Sequence, residues 1–123
     1  MGSLNYLSAK QQRMEPTKLT TAEVKGRMDR GERFAFVDVR NQKEWSESGG
    51  KLPGAIRMAA SEIEQHLREV PQGRTIVAYC SCPNEESSTW VALELMRLGF
   101  LHVHPLIGGF DAWRGAGGPV EPK

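Results

Sequence analysis

Apolar and polar positions along this chain alternate between two rhythms, one of helical spacing and one of short continuous runs. Thr20-Thr21-Ala22-Glu23 fits a capping box, with Val24 and Met28 following at helical spacing and Gly31 as the stop. Phe34-Ala35-Phe36-Val37-Asp38-Val39 is a mostly apolar, β-favouring run of the kind that forms a buried parallel strand. Gly49-Gly50 and Pro53-Gly54 mark an irregular loop. Ser61-Glu62-Ile63-Glu64 reads as a second capping box. The helix it opens carries Ile63, Leu67 and Val70 on one face and His66 on its polar side, and ends at Pro71-Gln72-Gly73. Thr75-Ile76-Val77-Ala78-Tyr79 is a second strong strand. Residues 88–98 give the best helix: Val91, Leu95 and Leu98 line one face, Ala92 and Met96 flank it, and Gly99 takes the C′ position. Leu101-His102-Val103-His104 is a third strand, closed by Pro105. Gly108-Gly109 precedes a short helical turn with Phe110 and Trp113, and Gly115 to Lys123 reads as Gly/Pro-rich coil. Short apolar strands alternating with helices predict an α/β fold, a mostly parallel sheet with helices on both faces.

Length and composition fit one such unit. The chain has 123 residues, 39% hydrophobic and 25% charged, the balance of a globular domain. Residues 1–16 are polar and mixed and are read as a tag remnant (Met1-Gly2-Ser3) followed by a linker or tail. The domain spans 17–123. The 16 basic and 15 acidic residues leave a net charge of +1 without clustering, so nucleic acid and membrane surfaces are not expected partners. No apolar run approaches the roughly 18–20 residues of a membrane span, and no signal peptide is expected, since the N-terminal residues lack an apolar h-region.

The chemistry concentrates in one place. Both cysteines, Cys80 and Cys82, lie where the Thr75–Tyr79 strand hands over to the helix near residue 88. One residue separates them, so a disulfide between them would be strained, and a reducing, cytoplasmic setting is expected. Ligands of open α/β sheets sit beyond the C-terminal strand ends, and a helix N-terminus there stabilises an anion. A thiol so placed has a lowered pKa and is more nucleophilic, while a cysteine elsewhere is a small buried hydrophobe. Pro83, Asn84, Glu85, Glu86, Ser87 and Ser88 are positioned to wrap a sulfur atom and form the candidate substrate-binding segment. Glu85 and Glu86 suit the first turn of the following helix; pointing inward they would oppose an anionic donor. No Arg or Lys lies between Cys80 and Arg97, which removes a phosphatase reading, since a phosphate loop of this type needs that arginine.

Taken together these pieces resemble the rhodanese-like family over Thr17 to Val120. Asp38-Val39-Arg40 with Glu44-Trp45 is similar to its first signature. Gly50-Lys51-Leu52-Pro53-Gly54-Ala55-Ile56 is similar to its proline-glycine loop, with Lys51 where His is common. Ile76-Val77-Ala78-Tyr79-Cys80 resembles the strand leading to the active cysteine. Leu98-Gly99-Phe100, then Leu106-Ile107-Gly108-Gly109-Phe110-Asp111-Ala112-Trp113, then Gly118-Pro119-Val120 resemble the closing motifs. The resemblance implies a central, mostly parallel five-stranded sheet with helices on both faces. It also implies a sulfurtransferase that moves sulfur from thiosulfate or a persulfide to cyanide or a thiol through a cysteine persulfide, with no metal and no cofactor. Asp38 and Arg40 are expected to support the strand end.

Which cysteine carries the sulfur depends on the anchor. Counting from the strand gives Cys80. Counting back from Ala92-Leu93-Glu94-Leu95 gives Cys82 and a loop, Cys82 to Ser87, of the length found in small sulfurtransferases. Loop length is the tighter constraint and favours Cys82, with Cys80 as a buried or resolving neighbour. Two other classes stand beside the enzyme. Cys80-x-Cys82 with His102-x-His104 is a candidate metal set, and a rhodanese-like interaction module without chemistry, within a multidomain or membrane-tethered parent, is the other.

Overall fold

The computed structural model describes residues 16–81 and 85–123. Helix α1 (Thr21–Asp29) leads into strand β1 (Phe34–Asp38). A short helix α2 (Gln42–Glu47) follows, then β2 (Gly50–Lys51), β3 (Ile56–Arg57) and a 3₁₀ segment, Ala60–Glu69. Strand β4 (Thr75–Tyr79), helix α3 (Glu86–Arg97), β5 (Val103–Pro105), α4 (Gly109–Gly115) and β6 (Glu121–Pro122) complete the chain. The capping box at α1 forms as the sequence predicts: the Thr20 hydroxyl accepts from Glu23 N–H at 3.0 Å, and the Glu23 carboxylate accepts from Thr20 N–H at 2.8 Å.

The central sheet runs β3-β1-β4-β5, all parallel, with Phe34 to Asp38 paired against Thr75 to Tyr79. Four strands form it, one fewer than expected. On its β5 side Leu19 makes only an isolated bridge to Leu106: its N–H donates to the Pro105 carbonyl at 2.9 Å and its carbonyl accepts from Ile107 N–H at 2.8 Å. Thr20 already caps α1, so the chain turns helical before a strand can grow.

Both faces of the sheet are covered. Ala35, Val37, Ile76 and Ala78 pack with Val91, Ala92 and Leu95 of α3 and with Ile63 and Val70. On the other face, Phe34, Phe36, Val77 and Tyr79 pack with Val24 of α1, Leu52, and Phe110 and Trp113 of α4. This alternation between faces follows from the two-residue period of a strand.

Three local expectations are corrected. The segment after residue 60 is a 3₁₀ helix capped by Ala59 without a side-chain bond, so the second capping box does not form. Glu62 breaks it (φ −123°), with its N–H on the Ala59 carbonyl at 2.8 Å. The C-terminal stretch is not all coil, because Glu121–Pro122 pairs antiparallel with Gly50–Lys51 inside the loop read as irregular. The third strand begins at Val103, two residues later than the pattern suggested. Among the described residues no helix is long and apolar enough to cross a membrane.

Candidate active site

The C-terminal ends of β1 and β4 lie side by side, since Asp38 pairs in register with Tyr79. Beyond them are two arrangements, one closed on Asp38 and one where β4 hands over to α3.

The closed one is built on Asp38. Its carboxylate accepts from Arg40 Nη2 at 2.6 Å, from Arg40 Nε at 3.0 and 3.1 Å, from Arg40 backbone N–H at 3.1 Å and from the Tyr79 hydroxyl at 2.6 Å. Tyr79 Oη in turn accepts from Leu52 N–H at 3.1 Å, and Arg40 Nη2 also donates to the Gly50 carbonyl at 2.8 Å. Asp38 and Arg40 are fully buried, at 0% and 1% exposure. Burial disfavours the Arg40 charge, but the bonds to Asp38 and its negative charge outweigh that and raise the pKa. Burial, then the charge and hydrogen bond of Asp38, push the Tyr79 phenol far up, so it stays protonated. Phe110 covers the guanidinium, 4.2 Å from ring centroid to Cζ. This network ties β1, β4 and the 50–52 turn together, and Arg40 also borders the cleft beside Trp45.

The second arrangement is the seam between β4 and α3. Cys80 is 2% exposed and belongs to the apolar cluster under α3. Its thiol donates to the Ser88 hydroxyl at 3.7 Å, and Ser88 Oγ donates to the Glu85 carbonyl at 3.2 Å. The Cys80 carbonyl accepts from Phe110 N–H at 3.0 Å. Gly109 makes that approach possible: it sits at φ +58°, and a Cβ there would lie 1.9 Å from the Cys80 oxygen.

Glu85 fixes the far end of the loop. It adopts a left-handed conformation (φ 55°, ψ 38°), uncommon for a residue with a side chain, and is 9% exposed. Its carboxylate accepts from Lys18 Nζ at 2.9 Å and from Gly108 N–H at 3.1 Å. Burial works against its charge, but these two donors prevail and hold its pKa below the ordinary carboxylate value. Glu85 therefore turns toward Lys18 and Gly108. Glu86 is exposed on the first turn of α3.

Among the predicted site residues, then, Cys80, Glu85 and Ser88 converge at the seam. Ser87 lines a neighbouring cleft, Glu86 faces out, and Asp38 and Arg40 occupy the adjoining closed corner. Cys82, Pro83 and Asn84 lie outside the described residues. The histidines of the candidate metal set do not approach Cys80. His104 pairs with Val77, three residues before Cys80, and its Nδ1 lies 2.7 Å from the Thr17 carbonyl, while His102 sits still further toward the start of β5. Among the described residues no three His, Cys, Asp or Glu side chains form a cluster that could hold a metal ion. Sequence reasoning missed Lys18 and Gly109. Lys18 is 67 residues from its partner, a pairing no local pattern announces. Gly109 stood in a quoted motif, but its close approach to Cys80 required the folded chain.

Comparison with known proteins agrees with this geometry. The profile of the Rhodanese-like domain matches residues 20–116. The chain is 35% identical over 106 residues to the HTH-type transcriptional regulator Rv0324 of Mycobacterium tuberculosis, covering 84% of this chain and 44% of that protein. It is 29% identical to the thiosulfate sulfurtransferase GlpE of Coxiella burnetii (66% of this chain, 72% of that one). It is 31% identical to the probable adenylyltransferase/sulfurtransferase MoeZ of M. tuberculosis (77% of this chain, 24% of that one). The regulator and MoeZ are thus far longer than the matched region. Among solved structures, the rhodanese-like domain of the Anabaena sp. Alr3790 protein superposes with a TM-score of 0.70 at 28% identity, covering 86% of this chain and 79% of that one. With a profile match across most of its length and the expected strand-to-helix seam in place, the chain belongs to the rhodanese-like domain family.

Proposed function

We propose that this chain is a sulfurtransferase that carries sulfane sulfur as a persulfide on Cys82, with Cys80 as its buried neighbour. One observation carries the choice of cysteine. Cys80 is enclosed, its sulfur against Ser88 and the apolar underside of α3, so a donor has no path to it. The loop between Cys80 and Glu85 is pinned at both ends, by Phe110 and Gly109 at one and by Lys18 and Gly108 at the other. Cys82 precedes the twelve-residue helix α3 by four positions in the sequence, and the dipole at a helix N-terminus favours a thiolate.

The chemistry has two steps. The Cys82 thiolate attacks the outer sulfur of thiosulfate or of an organic persulfide; the S–S bond of the donor breaks, and sulfite or a thiolate departs. An acceptor thiolate or cyanide then attacks the outer sulfur of the Cys82 persulfide and regenerates the thiolate. Neither step requires a metal or cofactor. Loop amides serve as the anion hole. Thiolate chemistry of this kind suits a reducing, cytoplasmic compartment.

The test is single-turnover transfer. Protein pre-loaded with polysulfide and freed of excess reagent is expected to release one thiocyanate per chain on cyanide addition. The Cys82→Ser variant is expected to release none and Cys80→Ser to retain most of it. Release from Cys82→Ser at the wild-type level would move the site to Cys80.

A second reading is favoured by the match to a protein named as a transcriptional regulator, of which this chain covers less than half. There the domain would act as an interaction or sensing module inside a longer protein. Absence of thiocyanate from all three proteins would support it.

A further inference from the structure

Two arginines flank Trp45, each with its Cζ 5.4 Å from the indole centroid. Arg40 is held through Nε and Nη2 by the Asp38 carboxylate and through Nη2 by the Gly50 carbonyl. Arg57, on β3 and in register with Asp38, is not: its Nε and Nη1 are buried, and neither has an acceptor among the described residues. A buried donor left unpaired costs about 1–3 kcal/mol, more when charged. A fold keeps such a group where something else satisfies it.

Arg57 lines a cleft of about 480 Å³ beyond the C-terminal ends of β1 and β3, together with Trp45, Val39, Ser61 and Glu62. Its wall also includes Ser87, which is adjacent to the Ser88 that holds Cys80. The cleft therefore borders the first turn of α3, in the crevice where open α/β sheets bind ligands. Its volume lies in the range of about 300–1,000 Å³ typical of small organic ligands. The acidic member of the wall, Glu62, lies 3.8 Å from His66 Nε2.

We infer that this cleft selects the small-molecule sulfur partner of the domain, and that Arg57 binds the carboxylate of an organic thiol or persulfide whose sulfur end lies toward Ser87 on the first turn of α3. The inference rests on the sulfurtransferase reading for its sulfur chemistry, and on the cleft alone for its anion recognition. It also answers the missing cation of the loop: the positive charge comes from β3, not from the segment that carries the cysteines. In the transfer step the bound thiolate attacks the outer sulfur of the enzyme persulfide, the enzyme S–S bond breaks, and the acceptor leaves as its persulfide.

The test uses three acceptor thiols of equal length that differ in their end group: 3-mercaptopropionate, 2-mercaptoethanol and cysteamine. Each is reacted with persulfide-loaded wild-type and Arg57→Gln protein, and the wild-type-to-variant ratio cancels intrinsic thiol reactivity. The expected result is a KM for 3-mercaptopropionate raised about ten- to a hundred-fold in Arg57→Gln, the loss of one charge-assisted contact, with kcat unchanged. The other two thiols should change less than about two-fold, and Arg57→Lys should recover part of the difference. Equal ratios for all three thiols would overturn the inference, as would a loss confined to kcat.

A second arm needs no sulfur transfer. Titration of 3-(methylthio)propionate should shift the Trp45 indole N–H resonance of wild type and not of Arg57→Gln. If that shift appears while persulfide loading fails, the transferase reading falls and the anion site stands. If loading succeeds and no shift appears, only the site falls.

Discussion

Arg40, two residues past the end of β1, and Arg57, on the neighbouring strand β3, both lie against one tryptophan, and the fold treats them differently. Arg40 has a carboxylate, a carbonyl and an aromatic lid, and is 1% exposed. Arg57 has the same indole neighbour but no acceptor for two of its nitrogens among the described residues. A buried charge inside a completed network is there to hold elements together. A charge without its counterpart, at the rim of a cleft, is available to something that arrives. Strand-end arginines are thus told apart by what surrounds their nitrogens, not by residue type.

The comparison breaks most visibly at Arg40. Replacing it with Gln leaves the Asp38 carboxylate buried without its cation, and the expected loss is about 3–5 kcal/mol, read by urea unfolding. Replacing Arg57 with Gln removes no ion pair among the described residues, so its unfolding free energy should stay within about 0.5 kcal/mol of wild type. Similar losses at the two positions would remove the distinction.

The next largest effect is expected at Gly109. An alanine there must push its Cβ against the Cys80 carbonyl from a left-handed backbone, so Gly109→Ala should cost at least about 2 kcal/mol in thermal or chemical unfolding. It should also slow persulfide loading, because the start of the loop is displaced. A neutral outcome would mean that the Phe110–Cys80 contact does not fix the seam.

Glu85 offers a smaller, pH-dependent effect. Burial opposes its charge, but Lys18 and the Gly108 N–H hold its pKa below the ordinary 4.5. The folded value being the lower one, the unfolded chain binds more protons in that range. The stabilisation is therefore complete above about pH 4.5 and is lost as pH falls through the folded value. Lys18 is partly exposed, so the contribution is about 1 kcal/mol or less. Glu85→Gln should flatten that part of the stability–pH curve between about pH 5 and 3, and an unchanged slope would show that the Lys18 contact is not maintained in solution.

Much of this architecture can be read from residue order. The apolar runs at Phe34 and Thr75 give the two central strands because nothing but a doubly covered sheet accommodates them. The periodicity from Val91 to Leu95 gives α3, and Gly31 and Gly99 terminate helices at positive φ. The pairing of Glu121–Pro122 with Gly50–Lys51 was not legible, since two residues on each side carry no period and lie about seventy positions apart. The 3₁₀ geometry of Ala60–Glu69 was hidden for a related reason: the apolar spacing of Ile63, Leu67 and Val70 also suits an α-helix. At the site, the thiols and the strand-to-helix seam were legible as a motif. Lys18 and Arg57 were not, because each is a lone cation whose meaning depends on what the fold places, or fails to place, beside it.

The account turns on where the sulfur is held, and peptide mass mapping after polysulfide or thiosulfate treatment tests that most directly. Wild type and Cys80→Ser are predicted to gain one sulfur atom on Cys82, and Cys82→Ser to gain none. A sulfur found on Cys80, or no gain in any of the three proteins, would contradict it.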